Sequence, residues 1–342
     1  MSKRDAQSLS ICVPGVACIN RCKYCVACMH TDAYKNQMDE NLPFYDLYLE
    51  DYIRRMVYAK ENDANIMMIT GDIEPLQNRH FLMTLSLLNK FVLPYHKCTS
   101  FNWIELQTSG VLFDRPYARF LRNTVGVSVL SLSLSSFNDD DNCEISGISP
   151  KNKICIEEVC SIAKEYDFTL RLSLNMNKSM LQSAGGTVDG LFKKAKKLGA
   201  DQITFRKLYV EGDNEQSRWI EQNAVSPKVF EKIDEYIKIN GHLIDILPYG
   251  YEQYSVDGMS AVVDRDCMNE ERTQKQVSKY FVLRPDCKLY NGWQKEDLIF
   301  WHRPVLNGER ELALLTSSLL CCTGKIIFSC TTKITLIKNT KI

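Results

Sequence analysis

Two kinds of apolar pattern alternate along this chain. Short continuous apolar runs, of the kind found in strands buried on both faces, are followed by longer stretches with apolar residues at helical spacing. The run Asn65-Ile66-Met67-Met68-Ile69-Thr70 is the clearest of the first kind. Leu47, Leu49, Ile53, Met56 and Val57 show the second and predict a helix over 44–62. The same reading gives strands near 9–13, 65–70, 103–108, 125–134, 168–176 and 202–208. Helices are predicted over 78–91, 115–122, 150–166, 187–198 and 227–239. Strands and helices in this rhythm argue for βα units around a parallel sheet or barrel, with six units complete by about residue 240.

Beyond that point the rhythm changes. One further strand is predicted near 243–247, and the stretch up to Lys279 reads as polar and irregular. Residues 280–290 read as a hairpin with Pro285-Asp286 at its turn. Residues 311–342 are rich in small and β-branched side chains and yield no fold prediction. The expected organisation is a core over 1–250 and an extension over 251–342 that caps the barrel or shapes a substrate site.

Charge narrows the partners. With 42 basic and 42 acidic residues among 342, the chain has no electrostatic footprint for nucleic acid, and a small molecule or peptide is the expected substrate. The lysines 193, 194, 196 and 197 lie opposite the apolar stripe of their helix, which fits a solvated face. No apolar run is long enough to cross a membrane and no signal core follows Met1, so a cytoplasmic protein is expected.

The 14 cysteines change the picture most. In a reducing compartment, clustered cysteines point to metal or catalysis rather than disulfides. Cys18-Ile19-Asn20-Arg21-Cys22-Lys23-Tyr24-Cys25 follows the first strand and a Pro14-Gly15 turn. Three thiolates so close along the chain can converge on a soft metal centre. An iron–sulfur cube held by three thiolates keeps one iron open. The alternative is structural zinc, with Cys28 or His30 as a fourth ligand. The late cysteines Cys267, Cys287, Cys321, Cys322 and Cys330 lack the dense spacing of a second cluster site.

The Cys-x3-Cys-x2-Cys spacing, with aromatic Tyr24 before the last cysteine, resembles the signature of the radical S-adenosylmethionine (radical SAM) superfamily. Later motifs extend the resemblance over roughly residues 8–210. It implies a partial (βα)6 barrel of the TIM type, a [4Fe-4S] cluster on Cys18, Cys22 and Cys25, and S-adenosylmethionine (SAM) on the open iron. An electron donor such as flavodoxin or ferredoxin is implied with it. The family's reaction cleaves SAM reductively to a 5′-deoxyadenosyl radical that abstracts a substrate hydrogen.

Gly71, Asp72 and Glu74 fall where that family places its Gly-Glu motif, which receives the SAM amino group, although Asp72 and Ile73 stand where glycines are commoner. Thr108-Ser109-Gly110 resembles the family's Thr-Asn-Gly strand ending. Ser133 and Ser135 resemble its polar strand-end residues, while Arg171, Ser173 and Arg206 are candidates for the SAM carboxylate or the substrate. An arginine in an otherwise apolar strand also calls for a buried carboxylate partner, because an unpaired buried charge is costly. The Ile73 departure keeps a second class open, a non-catalytic metal-binding protein on a degenerate barrel.

Overall fold

The central strands carry leucine and isoleucine on one face and small polar residues on the other. A computed structural model describes residues 5–29, 49–247, 250–266, 277–293 and 298–300. In β4 (Val129–Leu134), Leu130, Leu132 and Leu134 are fully buried, whereas Ser131 and Ser133 face an internal cavity. Leu170, Leu172 and Leu174 of β5 (Thr169–Asn175) repeat the pattern against Arg171, Ser173 and Asn175. A period of two therefore divides each strand into a helix-covered apolar face and a polar lumen.

The remaining core strands are β1 (Asp5–Cys12), β2 (Ile66–Thr70), β3 (Trp103–Thr108) and β6 (Gln202–Arg206). They pair in parallel in the order β1 to β6. The helices are α1 (Val26–Met29), α2 (Leu49–Glu61), α3 (Arg79–Leu87), α4 (Arg115–Arg119), α5 (Asp139–Ile145) and α6 (Ile156–Glu165). They continue as α7 (Lys178–Ser183), α8 (Val188–Lys197), α9 (Glu215–Asn223) and α10 (Pro227–Asn240). After α3 the chain runs on through a π-type turn, Leu88–Val92.

Short polar side chains start many of the helices. Asn78, Asp114, Asn138, Asn177, Thr187 and Asn214 each accept a hydrogen bond from a backbone N–H in the first turn that follows. That satisfies a donor the helix itself leaves free. The helix predicted over 150–166 is divided: a 3-10 turn, Pro150–Asn152, precedes α6. Asp139 Oδ1 accepts from Ile156 N at 3.1 Å, so α6 begins where a side chain supplies its first acceptor.

The parallel array extends past the expected six strands. Beyond β7 (Gly241–Ile246), the stretch read as irregular forms β8 (Glu252–Val256) and β9 (Met259–Asp264). β9 pairs in parallel with β6, and β8 and β7 follow antiparallel. On the other side β10 (Val277–Leu283) pairs in parallel with β1, and the predicted hairpin joins it to β11 (Leu289–Tyr290), with β12 (Leu298–Phe300) outermost. Residues 252–300 thus add strands at both ends of the sheet. Polar lumen residues such as Gln253, Ser260 and Asp264 interrupt the apolar pattern of β8 and β9, which explains the misreading.

Cys12, Tyr280, Val282 and Tyr290 form a buried cluster beneath Trp293 where β1, β10 and β11 meet. His30, Cys267, Cys321, Cys322, Cys330 and the 311–342 tail lie outside the described residues. Among the described residues no helix is long and apolar enough to cross a membrane.

Candidate functional site

The cysteine loop begins just after β1 and is fastened to the ends of several other strands. Gln77, in the turn after β2, accepts from Ile19 N at 2.7 Å and donates to Ala17 O at 3.1 Å. Asn20 donates through Nδ2 to Ser109 Oγ, after β3, at 2.8 Å. The backbone N–H groups of Arg21 and Lys23 donate to Gly147 O and Ile145 O at 3.2 and 3.0 Å. A Cβ at Gly147, where φ is +59°, would lie 2.2 Å from Arg21 O, so this approach requires glycine.

Tyr24 is the deepest anchor. Its phenol oxygen accepts from Ser135 Oγ and Asn175 Nδ2, both at 2.9 Å, joining the loop to the ends of β4 and β5. Burial pushes its phenol well above the ordinary range, so the ring stays neutral. Sequence reading marked only the aromatic position before the third cysteine; its role as an anchor depends on partners more than a hundred residues away.

The loop faces a cavity of about 630 Å³ that runs along the lumen, from Ile66, Trp103 and Gln202 at the starts of β2, β3 and β6 to the carboxyl ends where the cysteine loop lies. Cys18, Cys22 and Cys25 line it together with Gly71, Asp72, Glu74, Ser133, Arg171, Ser173 and Arg206. Of the predicted residues only Ser135 stands outside this wall, buried beneath the loop and committed to Tyr24. The Ser131 and Ser133 side chains point into the lumen by the pleat of β4, whereas Ser135 follows the end of the strand.

Gly71 is explained by close approach. A Cβ there would stand 2.9 Å from Val13 N, between adjoining strand ends. Ile73 packs against Gly15, where a Cβ would meet its Cδ1 at 2.4 Å. The branched residue in the glycine position therefore braces the turn that leads into the cysteine loop.

Glu74 is almost fully buried. Its Oε1 accepts from Thr108 Oγ1 at 2.6 Å and Leu76 N at 3.4 Å. Its Oε2 accepts from Ser109 N and Oγ at 2.9 and 2.6 Å. Burial pushes its carboxyl above the ordinary pKa, while the Ser109 and Thr108 donors oppose that. The carboxylate ties the turn after β2 to the end of β3.

Arg171 pairs with Glu105 across the lumen, and its Nε donates to Gln202 Oε1 at 2.8 Å. The carboxylate partner expected for a strand arginine is thus Glu105. Arg206 stands with Nε 3.9 Å from Asp264 Oδ2, and Lys279 Nζ lies 2.8 Å from Asp264 Oδ1. Lys279, Asp264, Tyr251 and Trp293 line the cavity and were not anticipated: the strand of Asp264 was read as irregular, and Lys279, Tyr251 and Trp293 lie at or beyond the edges of the predicted elements.

The thiols differ in exposure. Burial pushes Cys22 up to about 12 and also raises Cys18. Cys25 and Cys28 are in hydrogen-bonding contact; Cys25 keeps the proton, and the more exposed Cys28 is lowered to about 6. Cys28 does not line the cavity. Among the described residues, no three His, Cys, Asp or Glu side chains are gathered tightly enough to hold one metal ion. Ser173 Oγ and Asn20 Oδ1 are buried without a hydrogen-bond partner, and both residues line the cavity, so its wall has polar capacity for a ligand.

No protein-family model matches the chain. SuiB of Streptococcus suis bound to S-adenosylmethionine matches with a TM-score of 0.53 and 13% identity, over 92% of this chain and 66% of SuiB. SuiB bound to its precursor peptide SuiA matches with 0.52 and 13%, over 84% of this chain and 60% of SuiB. The chain therefore spans about 60–66% of the length of these structures, and the likeness is one of fold. The shared feature is the open, mostly parallel α/β sheet, in keeping with the partial barrel that the strand rhythm led one to expect.

Proposed function

We propose that the protein is a radical SAM enzyme acting on a peptide or small molecule. The observation that carries this reading is the placement of Cys18, Cys22 and Cys25 together on the wall of the lumen cavity, in the loop that follows the carboxyl end of β1. Barrel enzymes keep their chemistry at that end.

On this reading Cys18, Cys22 and Cys25 hold a [4Fe-4S] cluster, and SAM lies against Gly71, Asp72, Glu74, Ser133, Ser173 and Arg206. The bound pair supplies one chemical capability, reductive cleavage of SAM to a 5′-deoxyadenosyl radical, with the electron coming from a flavodoxin or ferredoxin. The protein's own groups orient and shield. Tyr24, Asn20 and Gln77 hold the loop over the lumen, so its thiols are set before any ligand arrives. Asp72 supplies a carboxylate for an ammonium, since the acceptor positions of Glu74 are taken by β3 and its own turn. Glu74 acts by fixing the backbone around that site.

Arg171 and Glu105 place a matched ion pair in the lumen, and the Ser133 and Ser173 hydroxyls offer neutral hydrogen bonds along its wall. The segment after residue 250 shapes the substrate side through Tyr251, Gln253, Lys279 and Trp293. The SuiB likeness, with a precursor peptide bound to that protein, supports a peptide substrate.

Anaerobic reconstitution with iron and sulfide, followed by SAM and dithionite, tests the reading. The expected result is 5′-deoxyadenosine from the reconstituted protein and none from Cys22→Ala. Stoichiometric zinc without iron or sulfide would overturn it.

A further inference from the structure

Cys28 belongs to the same loop as the three cavity thiols yet stands apart from them. It is exposed, and it is absent from the cavity wall that Cys25 helps to form. The two residues are nevertheless joined. Cys28 N donates to Cys25 O at 3.1 Å, closing one turn, and their side chains are in contact. Side chains three apart on such a turn have Cβ atoms roughly 5–6 Å apart. Disulfides need Cβ separations of roughly 3.5–4.5 Å, so the turn must tighten by about 1–2 Å to bridge this pair.

We propose that Cys25 and Cys28 form a hydroperoxide-induced disulfide, in which Cys28 is a resolving thiol that guards Cys25 against irreversible oxidation. Cys28, the exposed member, meets the oxidant. Its sulfur attacks hydrogen peroxide: an S–O bond forms, the O–O bond breaks, and one water leaves with the thiol proton. The Cys25 sulfur then attacks the sulfenic sulfur; the S–S bond forms, the S–O bond breaks, and a second water departs. Two thiols are oxidised by two electrons and one peroxide is reduced to two waters.

A disulfide is the reversible stop on the oxidation ladder, whereas a lone thiol proceeds to sulfinic and sulfonic acids. The cavity-lining Cys25 thus has a partner on the solvent side that returns it to the thiol whenever a reductant is present. Cys22 also precedes Cys25 by three residues on a turn, with Cys25 N donating to Cys22 O at 3.1 Å, and is the natural rival. Cys28 is favoured by its exposure and by its side-chain contact with Cys25. The inference does not depend on which centre the loop holds.

The test uses the full chain, reduced and free of metal, treated with hydrogen peroxide and digested with trypsin. Cleavage after Lys23 separates Cys22 from peptide 24–35, which carries both Cys25 and Cys28. The expected result is a loss of about 2 Da confined to that peptide and reversed by dithiothreitol. In Cys28→Ser, an exposed near-isosteric change, the loss disappears and Cys25 gains oxygen instead. A cross-link from Cys25 to the Cys22 peptide, or oxygen addition to Cys25 in the unsubstituted chain at the same peroxide dose, would overturn the proposal.

Discussion

Lys279 Nζ stands 2.8 Å from Asp264 Oδ1, and this pair spans the two outer members of the parallel array, β10 and β9. The strand order is open, so a side-chain ion pair links what backbone hydrogen bonds leave apart. Lys279 also donates to Asp266 O at 3.0 Å and lies over the Tyr251 ring. Both members of the pair are largely buried, with side-chain exposures of 13% and 9%. Among the described residues, removing Lys279 leaves Asp264 with only the more distant Arg206, 3.9 Å away, and weakening a buried pair in this way costs up to roughly 3 kcal/mol. Lys279→Met is therefore expected to lower stability in urea by up to that much, with Lys279→Met/Asp264→Asn recovering part of it. An unchanged midpoint for the single variant would show that the link contributes nothing.

Tyr24→Phe removes the oxygen that receives Ser135 and Asn175. Two buried polar groups lose a partner, and the expected cost is about 1–3 kcal/mol. The loop should also hold its metal centre less firmly. Iron retained after desalting a reconstituted sample measures this, and retention equal to that of the unsubstituted protein would remove Tyr24 as the anchor.

Gly147→Ala tests the close approach beneath the cysteine loop. The added methyl would stand 2.2 Å from Arg21 O, at a φ of +59° that an alanine adopts only under strain. Strain of this kind costs about 1–3 kcal/mol, read as a lower melting temperature. Gly185→Ala, where φ is +74° but nothing lies within 4 Å, isolates the backbone part of that cost.

For Glu74, the amide and the methyl separate two roles. In Glu74→Gln the new NH2 faces donors at Ser109 or Thr108, so the tie to β3 is broken on one side and stability falls by roughly 1–3 kcal/mol. Glu74→Ala loses all four bonds and is expected to weaken SAM binding, measured by calorimetry on the reconstituted protein. An unchanged affinity would remove Glu74 from the site.

Cys160 in α6 supplies a pH prediction. Burial, with Cys155 and Glu157 nearby, pushes its thiol up from 9.0 to about 12. The unfolded chain ionises first as pH rises, so the stabilisation is complete below pH 9 and is lost progressively between about pH 9 and 12. Cys160→Val, which cannot ionise, should fall less steeply over that range, by up to about 1.4 kcal/mol per pH unit. Identical slopes would mean that the thiol stays accessible in the folded state.

Several features of this protein are set by local sequence alone. Apolar runs and helical spacing placed β2, β3 and α10 almost to the residue, because fully buried strands and amphipathic helices write their burial into consecutive positions. The close spacing of Cys18, Cys22 and Cys25 likewise singled out the loop whose thiols line the cavity. Tertiary structure decided the rest. β8 and β9 went unseen because their lumen-facing residues are polar, and a polar position reads as loop until a cavity explains it. Asp72 and Glu74 are near neighbours in sequence, but only the end of β3 shows that one carboxylate is committed and which donors hold it. Tyr24 became an anchor, and Lys279 a link across the sheet opening, through partners brought together by the order of parallel strands, which no local pattern encodes.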